Sequence, residues 1–165
     1  MRAIILAAGE GNRLQPYTKN IPKCMVKLAG KPLLHRQIEV LRSLNFDEIM
    51  VVVGYLAKNV DCLGAKTSFN INYMNTNMVS TLFCAEDWMI DEDLYICYGD
   101  IVYEHRVIES LMACSSPIGI SIDKSWKNLW DLRMDDPLLD AETLVLKNSH
   151  QVVEIGKRAT SYDQI

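Results

Sequence analysis

The stretch that most restricts how this chain can fold is its opening, Arg2-Ala3-Ile4-Ile5-Leu6-Ala7-Ala8-Gly9-Glu10-Gly11-Asn12-Arg13-Leu14, with Ile21-Pro22-Lys23-Cys24-Met25 a few residues on. Ala3 to Ala8 is too short for an ordinary helix but suits a strand buried on both faces, with β-branched Ile4 and Ile5 favouring the pleat. Small Ala7 and Ala8 leave room for a flat ligand at the strand end. Gly9 and Gly11 lack Cβ, so the turn can take positive φ and bring its N–H groups close to an anion. Arg13 adds a fork matched to phosphate oxygens, Lys23 a compact charge, and Pro22 stiffens the backbone beside that lysine. A plain strand, a polar loop and two solvated cations would account for these residues singly. The glycine spacing and both cations together point to a phosphate-binding turn.

Two better-known phosphate motifs are excluded. A dinucleotide fingerprint needs a third glycine where Leu14 stands. Leu63-Gly64-Ala65-Lys66-Thr67 does not supply a P-loop.

Leu6-Ala7-Ala8-Gly9-x-Gly11-x-Arg13-Leu14 with Pro22-Lys23 resembles the signature of nucleotidyltransferases that join a nucleoside triphosphate to a phosphorylated small molecule. That family includes sugar-phosphate nucleotidylyltransferases and the cytidylyltransferases that make CDP-activated alcohols. The resemblance implies that Leu6, Ala8, Gly9, Gly11 and Arg13 hold the nucleotide and that Lys23 reaches the reacting α-phosphate. Arg13 and Lys23 are thus the catalytic candidates.

Along the chain, Pro32 can open a helix, and Leu33, Leu34, Ile38, Leu41 and Leu44 recur at helical spacing. Ile49 to Val53 reads as a second buried strand closed by Gly54-Tyr55. Phe69, Ile71 and Tyr73 alternate with polar residues and predict a half-exposed third strand. Asn75 to Thr81 clusters cap-forming residues ahead of a helix. By resemblance the nucleobase pocket falls here, which makes Asn77, Ser80 and Thr81 candidates for it; a plain N-cap is the other reading.

Leu94 to Tyr98 predicts a buried strand that ends in Gly99-Asp100. A carboxylate at a strand's C-terminal end can hold a hard cation against phosphate. By resemblance Asp100 is a ligand to Mg²⁺, the expected cofactor. Residues 104 to 114 read as a helix and Pro117 to Ile122 as a further strand. Trp126 and Trp130 stand four apart, so on a helix they share a face. Two indoles can form part of a cage for an alkylammonium, or they can simply cover the sheet. Asp140 and Glu142 can offer carboxylates to the same amine or begin the strand through Thr143, Val145 and Leu146. Val152 to Ile155 forms a last short strand ending at Gly156.

At 165 residues, 49% hydrophobic and 23% charged, the chain predicts a single domain over 1–165 with one sizeable core. A net charge of −4 argues against a nucleic-acid binder. Five scattered cysteines without a C-x-x-C pair suggest reduced thiols and a cytoplasmic protein. The apolar run before Gly9 is too short for a secretory signal, and no stretch is long enough to span a bilayer. The fold expected is a three-layer α/β/α, Rossmann-like nucleotidyltransferase domain with a mainly parallel, mixed sheet and a ligand crevice at the strand C-termini. Family members continue with a further strand and helix that carry a second metal-binding aspartate. The resemblance therefore implies a chain lacking the C-terminal part of the family fold.

The sequence is most similar to the phosphocholine and 2-aminoethylphosphonate cytidylyltransferase-like group. This implies transfer of CMP from CTP to a phosphorylated or phosphonylated amino alcohol, with release of pyrophosphate. Trp126, Trp130, Asp140 and Glu142 are the candidate acceptor residues. The alternatives are a sugar-1-phosphate uridylyl- or thymidylyltransferase and a nucleotide-binding domain without turnover. A homo-oligomer is left open.

Overall fold

A computed structural model of the chain describes residues 1–90 and 92–165. Where the sequence reading expects one domain over 1–165, the residues gather into two units, Met1–Gly119 and Ile120–Ile165.

The first unit is organised on β1 (Arg2–Ala7). It is followed by a small hairpin, β2 (Lys27–Leu28) and β3 (Lys31–Pro32), then α1 (Leu33–Ser43) and β4 (Glu48–Val53). β5 (Lys66–Phe69), α2 (Met78–Phe83), β6 (Leu94–Tyr98) and α3 (His105–Met112) complete it. β1 lies inside a four-stranded sheet of order β5-β4-β1-β6, and every pairing is parallel. A strand with neighbours on both sides and helices on both faces meets no water, which is why Ala3 to Ala8 carries no polar side chain.

Alternation along β1 divides its side chains between two cores. Ala3, Ile5 and Ala7 join Leu34, Ile38 and Leu41 of α1 and Ile108 of α3. Ile4 and Leu6 join Val52 and Ala85, with Met78 and Leu82 of α2 packed against them. The expected three layers are therefore present, and burying each of these large aliphatic side chains contributes roughly 1.5–3 kcal/mol. Register then sets the site: Leu6 pairs with Val52 on one side and Tyr98 on the other, so three strand ends come level.

Two predicted strands differ. The alternation at Phe69, Ile71 and Tyr73 is not a strand: β5 ends at Phe69, and a 3-10 turn covers Tyr73–Asn75. Asn70 is the cause. Its side chain is buried, its Oδ1 accepts from the Asn72 N–H at 3.0 Å, and its Nδ2 donates to Thr76 and Thr81 at 2.9 and 3.0 Å. Asparagine turn chemistry thus overrides the apolar alternation, and Ile71 is left 77% exposed. Pro117 to Ile122 is not a strand either: no strand pairs with it among the described residues, and Ile118 is exposed.

The second unit contains α4 (Trp126–Asp131) and an antiparallel hairpin of β7 (Glu142–Lys147) and β8 (Gln151–Arg158). Pro137, Ala141, Thr143 and Ala159 are its buried residues. The Thr143 hydroxyl accepts from the Lys157 N–H at 3.1 Å across the hairpin. Among the described residues, no helix is long and apolar enough to cross a membrane.

Candidate active site

β1 ends by delivering Ala8-Gly9-Glu10-Gly11 into a 3-10 turn over Asn12–Leu14, and a second 3-10 turn covers Lys23–Met25. Gly11 is where the two meet. Its φ is +66°, and a Cβ placed there would stand 2.8 Å from the Cβ of Lys23. The bare backbone of Gly11 is therefore the surface on which the Lys23 stem packs. Thr18, fully buried, donates to the Gly11 carbonyl at 2.9 Å and pins the turn from below. Pro22, also buried, accepts from the Met25 N–H at 2.9 Å and fixes the backbone beside the lysine.

Opposite stands the end of β6. The Gly99 N–H donates to the Leu6 carbonyl at 2.8 Å, and a Cβ on Gly99 would lie 2.9 Å from that of Ala7. This close approach brings the next residue, Asp100, to the glycine turn, where its carboxylate accepts from the Lys23 ammonium. The two side chains are about a third exposed, 30% and 34%, so the pair can be entered and rearranged by a charged ligand. Leu6, Ala7, Gly9, Gly11, Asn12, Arg13, Lys23, Cys24, Met78, Gly99 and Asp100 line one crevice of about 280 Å³.

The structure thus brings together the predicted catalytic residues Arg13 and Lys23, the predicted metal ligand Asp100, and Leu6, Gly9 and Gly11 of the predicted nucleotide-binding residues. Gly9 has open space where a Cβ would be, and its φ is not positive, so of the two turn glycines only Gly11 needs the left-handed region. Ala8 does not line the crevice. It is 2% exposed, and its small side chain serves the neighbouring Gly54, whose Cβ would lie 2.9 Å away.

Asn77, Ser80 and Thr81 are not among the crevice-lining residues. Asn77 caps α2, with its Oδ1 accepting from the Ser80 N–H at 3.0 Å. Thr81 is buried and donates to the Asn77 carbonyl at 3.1 Å. Met78 is the residue of this segment that reaches the crevice. Sequence reasoning missed it because a methionine amid polar residues looks like the start of an apolar face.

The thiol of Cys24 also lines the crevice, but burial pushes it up to about 12 from an ordinary 9.0. A thiol held neutral is a wall and not a nucleophile. Among the described residues no three His, Cys, Asp or Glu side chains gather as a metal cage. The carboxylate that lines the crevice is Asp100, a hard oxygen donor of the kind that Mg²⁺ takes in ones or twos beside phosphates.

In the second unit, Trp126 and Trp130 meet edge to face, with centroids 6.1 Å apart and planes at 81°. With Glu142 they line a largely apolar pocket of about 300 Å³ that also includes Ile122, Leu144 and Ile155. Asp140 is not among its lining residues. Arg133 stands 5.4 Å from the Trp130 centroid, so a cation already sits against that indole.

A glycine turn, two cations and a carboxylate at the C-terminal ends of parallel strands define a domain that handles nucleoside triphosphates. Residues 3–125 match the family of MobA-like NTP transferase domains, and the chain belongs to that family. The CTP:phosphoglutamine cytidylyltransferase of Campylobacter jejuni is 45% identical over 175 residues, covering 100% of this chain and 69% of that protein. A choline-phosphate cytidylyltransferase of Streptococcus pneumoniae is 40% identical over 105 residues, 58% of this chain and 46% of that one. The solved CTP:phosphocholine cytidylyltransferase from Streptococcus pneumoniae superimposes with a TM-score of 0.70 at 26% identity, over 93% of this chain and 63% of that structure. The chain thus spans between about half and two thirds of the length of these relatives.

Proposed function

We propose that this chain catalyses cytidylyl transfer: an oxygen of a phosphorylated, amine-bearing acceptor attacks the α-phosphorus of CTP, the bond to the β-phosphate oxygen breaks, and pyrophosphate leaves. The observation that carries this reading is the convergence of Gly11, Arg13, Lys23 and Asp100 on one crevice. An acceptor phosphate is already ionised near neutral pH, so no general base is needed. The task is alignment and charge neutralisation.

The N–H groups of the glycine turn and the Arg13 fork bind the triphosphate oxygens. Lys23 leaves Asp100 for the α-phosphate, where charge develops in the transition state. Asp100 would hold Mg²⁺ against the phosphates, and the ion would supply further neutralisation of negative charge. CTP is favoured because the relatives with 45% and 40% identity are named as cytidylyltransferases. Their acceptors, phosphoglutamine and choline phosphate, both carry nitrogen, in keeping with the amino-alcohol phosphates and phosphonates expected from the sequence. Within the second unit, Trp126, Trp130 and Glu142 supply the aromatic faces and the carboxylate that an ammonium group calls for.

Pyrophosphate release measured for each of four nucleotides with phosphocholine, 2-aminoethylphosphonate, phosphoglutamine and glucose-1-phosphate tests the reading. Turnover with CTP and a nitrogen-bearing acceptor is expected. Turnover only with UTP or dTTP and glucose-1-phosphate would replace it with a sugar-phosphate activity. Nucleotide binding with silence in every pair would reduce it to binding without turnover.

A further inference from the structure

The side chain that sets the aim of Asp100 lies behind it, on α1. Leu34, Ile38 and Leu41 present a fully buried stripe, and Gln37 sits in the same stripe at 1% exposure. A lone amide among aliphatic neighbours must find partners of its own. Its Nε2 donates to the Tyr98 carbonyl at 3.0 Å and to the Ile101 carbonyl at 2.8 Å. Those two carbonyls bracket Gly99-Asp100. The turn is therefore held from behind by Gln37 and from below by the contact of Gly99 with Leu6 and Ala7.

The other half of the amide shows what this arrangement serves. Among the described residues the buried Gln37 Oε1 has no hydrogen-bond partner. An apolar side chain of similar size would fill the stripe and leave no such acceptor unmet. Packing alone does not account for a glutamine here, whereas the pair of donors to one turn does.

We propose that Gln37 is a positioning residue that fixes the Tyr98–Ile101 turn, so that the Asp100 carboxylate faces the crevice where a phosphate-bound divalent cation is needed. The inference rests on the nucleotidyl-transfer reading and adds to it a residue that touches no substrate.

Gln37→Met and Gln37→Leu remove both donors at nearly constant volume, and the second suits the aliphatic stripe should the first not fold. Binding of Mn²⁺ in the presence of CTP, followed by electron paramagnetic resonance, is expected to weaken about tenfold in either variant. CTP affinity without metal is expected to stay within about twofold, and Tm within a few degrees. Hydrogen exchange is expected to quicken at Gly99, Asp100 and Ile101 while the α1 amides keep their protection. Unchanged Mn²⁺ affinity in a folded variant overturns the proposal, as does faster exchange spread across α1 and β1. A wild-type protein that binds no CTP at all overturns the functional reading instead, and the exchange experiment still decides whether Gln37 holds the turn.

Discussion

Gly11 and Lys23 work as a pair, since one has no side chain so that the other can cross it. Gly11→Ala would put a methyl group 2.8 Å from the Lys23 Cβ at a φ of +66°. Calorimetry should show a stability loss of about 1–3 kcal/mol together with lost turnover. Gly9→Ala has open space and no such strain, so stability should hold within about 0.5 kcal/mol while the KM for nucleotide rises. On the proposed reading Lys23 acts on the α-phosphate, and without ligand it is paired with Asp100. Lys23→Ala should therefore lower kcat by about 10²- to 10³-fold with the KM for CTP changed less than about threefold. Equal losses in kcat and affinity, read from steady-state kinetics, would contradict a role confined to the transition state. The gathering of these residues on one crevice was legible in the sequence because glycine spacing and fixed cations have few other uses. Gln37 and Thr18 were not singled out, because a polar residue buried in an apolar stripe names its partners only once the chain has folded.

At the scale of elements, β1, α1, β4, β6 and α3 follow from continuous apolar runs and from the 3.6-residue period, and the structure has them within a residue or two. The third strand was misplaced because Asn70 uses its side chain to make a turn where the apolar alternation continues. The same network explains the segment expected to read the base. Asn77 caps α2 and Thr81 is buried beneath it, so Asn77→Ala and Thr81→Val should each lower stability by about 1 kcal/mol. Their effect on the KM for CTP should be no more than about threefold; a tenfold rise without loss of Tm would return them to the base pocket. In the second unit, the spacing of Trp126 and Trp130 foretold a shared helix face but not its use. Trp126→Ala should raise the KM for the acceptor about tenfold and leave that for CTP unchanged, as initial rates at saturating CTP would show.

For the whole molecule, the parallel sheet was legible because β-strands buried on both faces leave a strong apolar signature. The division into two units was not, since no change of composition marks residue 119. Buried thiols tie the stability of the first unit to alkaline pH. Burial raises Cys24 to about 12 and Cys62 to about 11, whereas the unfolded chain gives up these protons near 9.0. The folded state thus binds them more tightly; stability is fully present below pH 9 and is lost as pH rises towards 11–12. Thermal melts from about pH 7.5 to about pH 10.5 should show this decline, and Cys24→Ala should flatten it. The central claim, that the glycine turn grips a triphosphate under Lys23, is tested most directly by a crystal structure with CTP and Mg²⁺. The account predicts the triphosphate in the crevice between Gly11 and Asp100, with the Lys23 ammonium within hydrogen-bonding distance of an α-phosphate oxygen. A nucleotide bound elsewhere, or a Lys23 turned away from the phosphates, would contradict it.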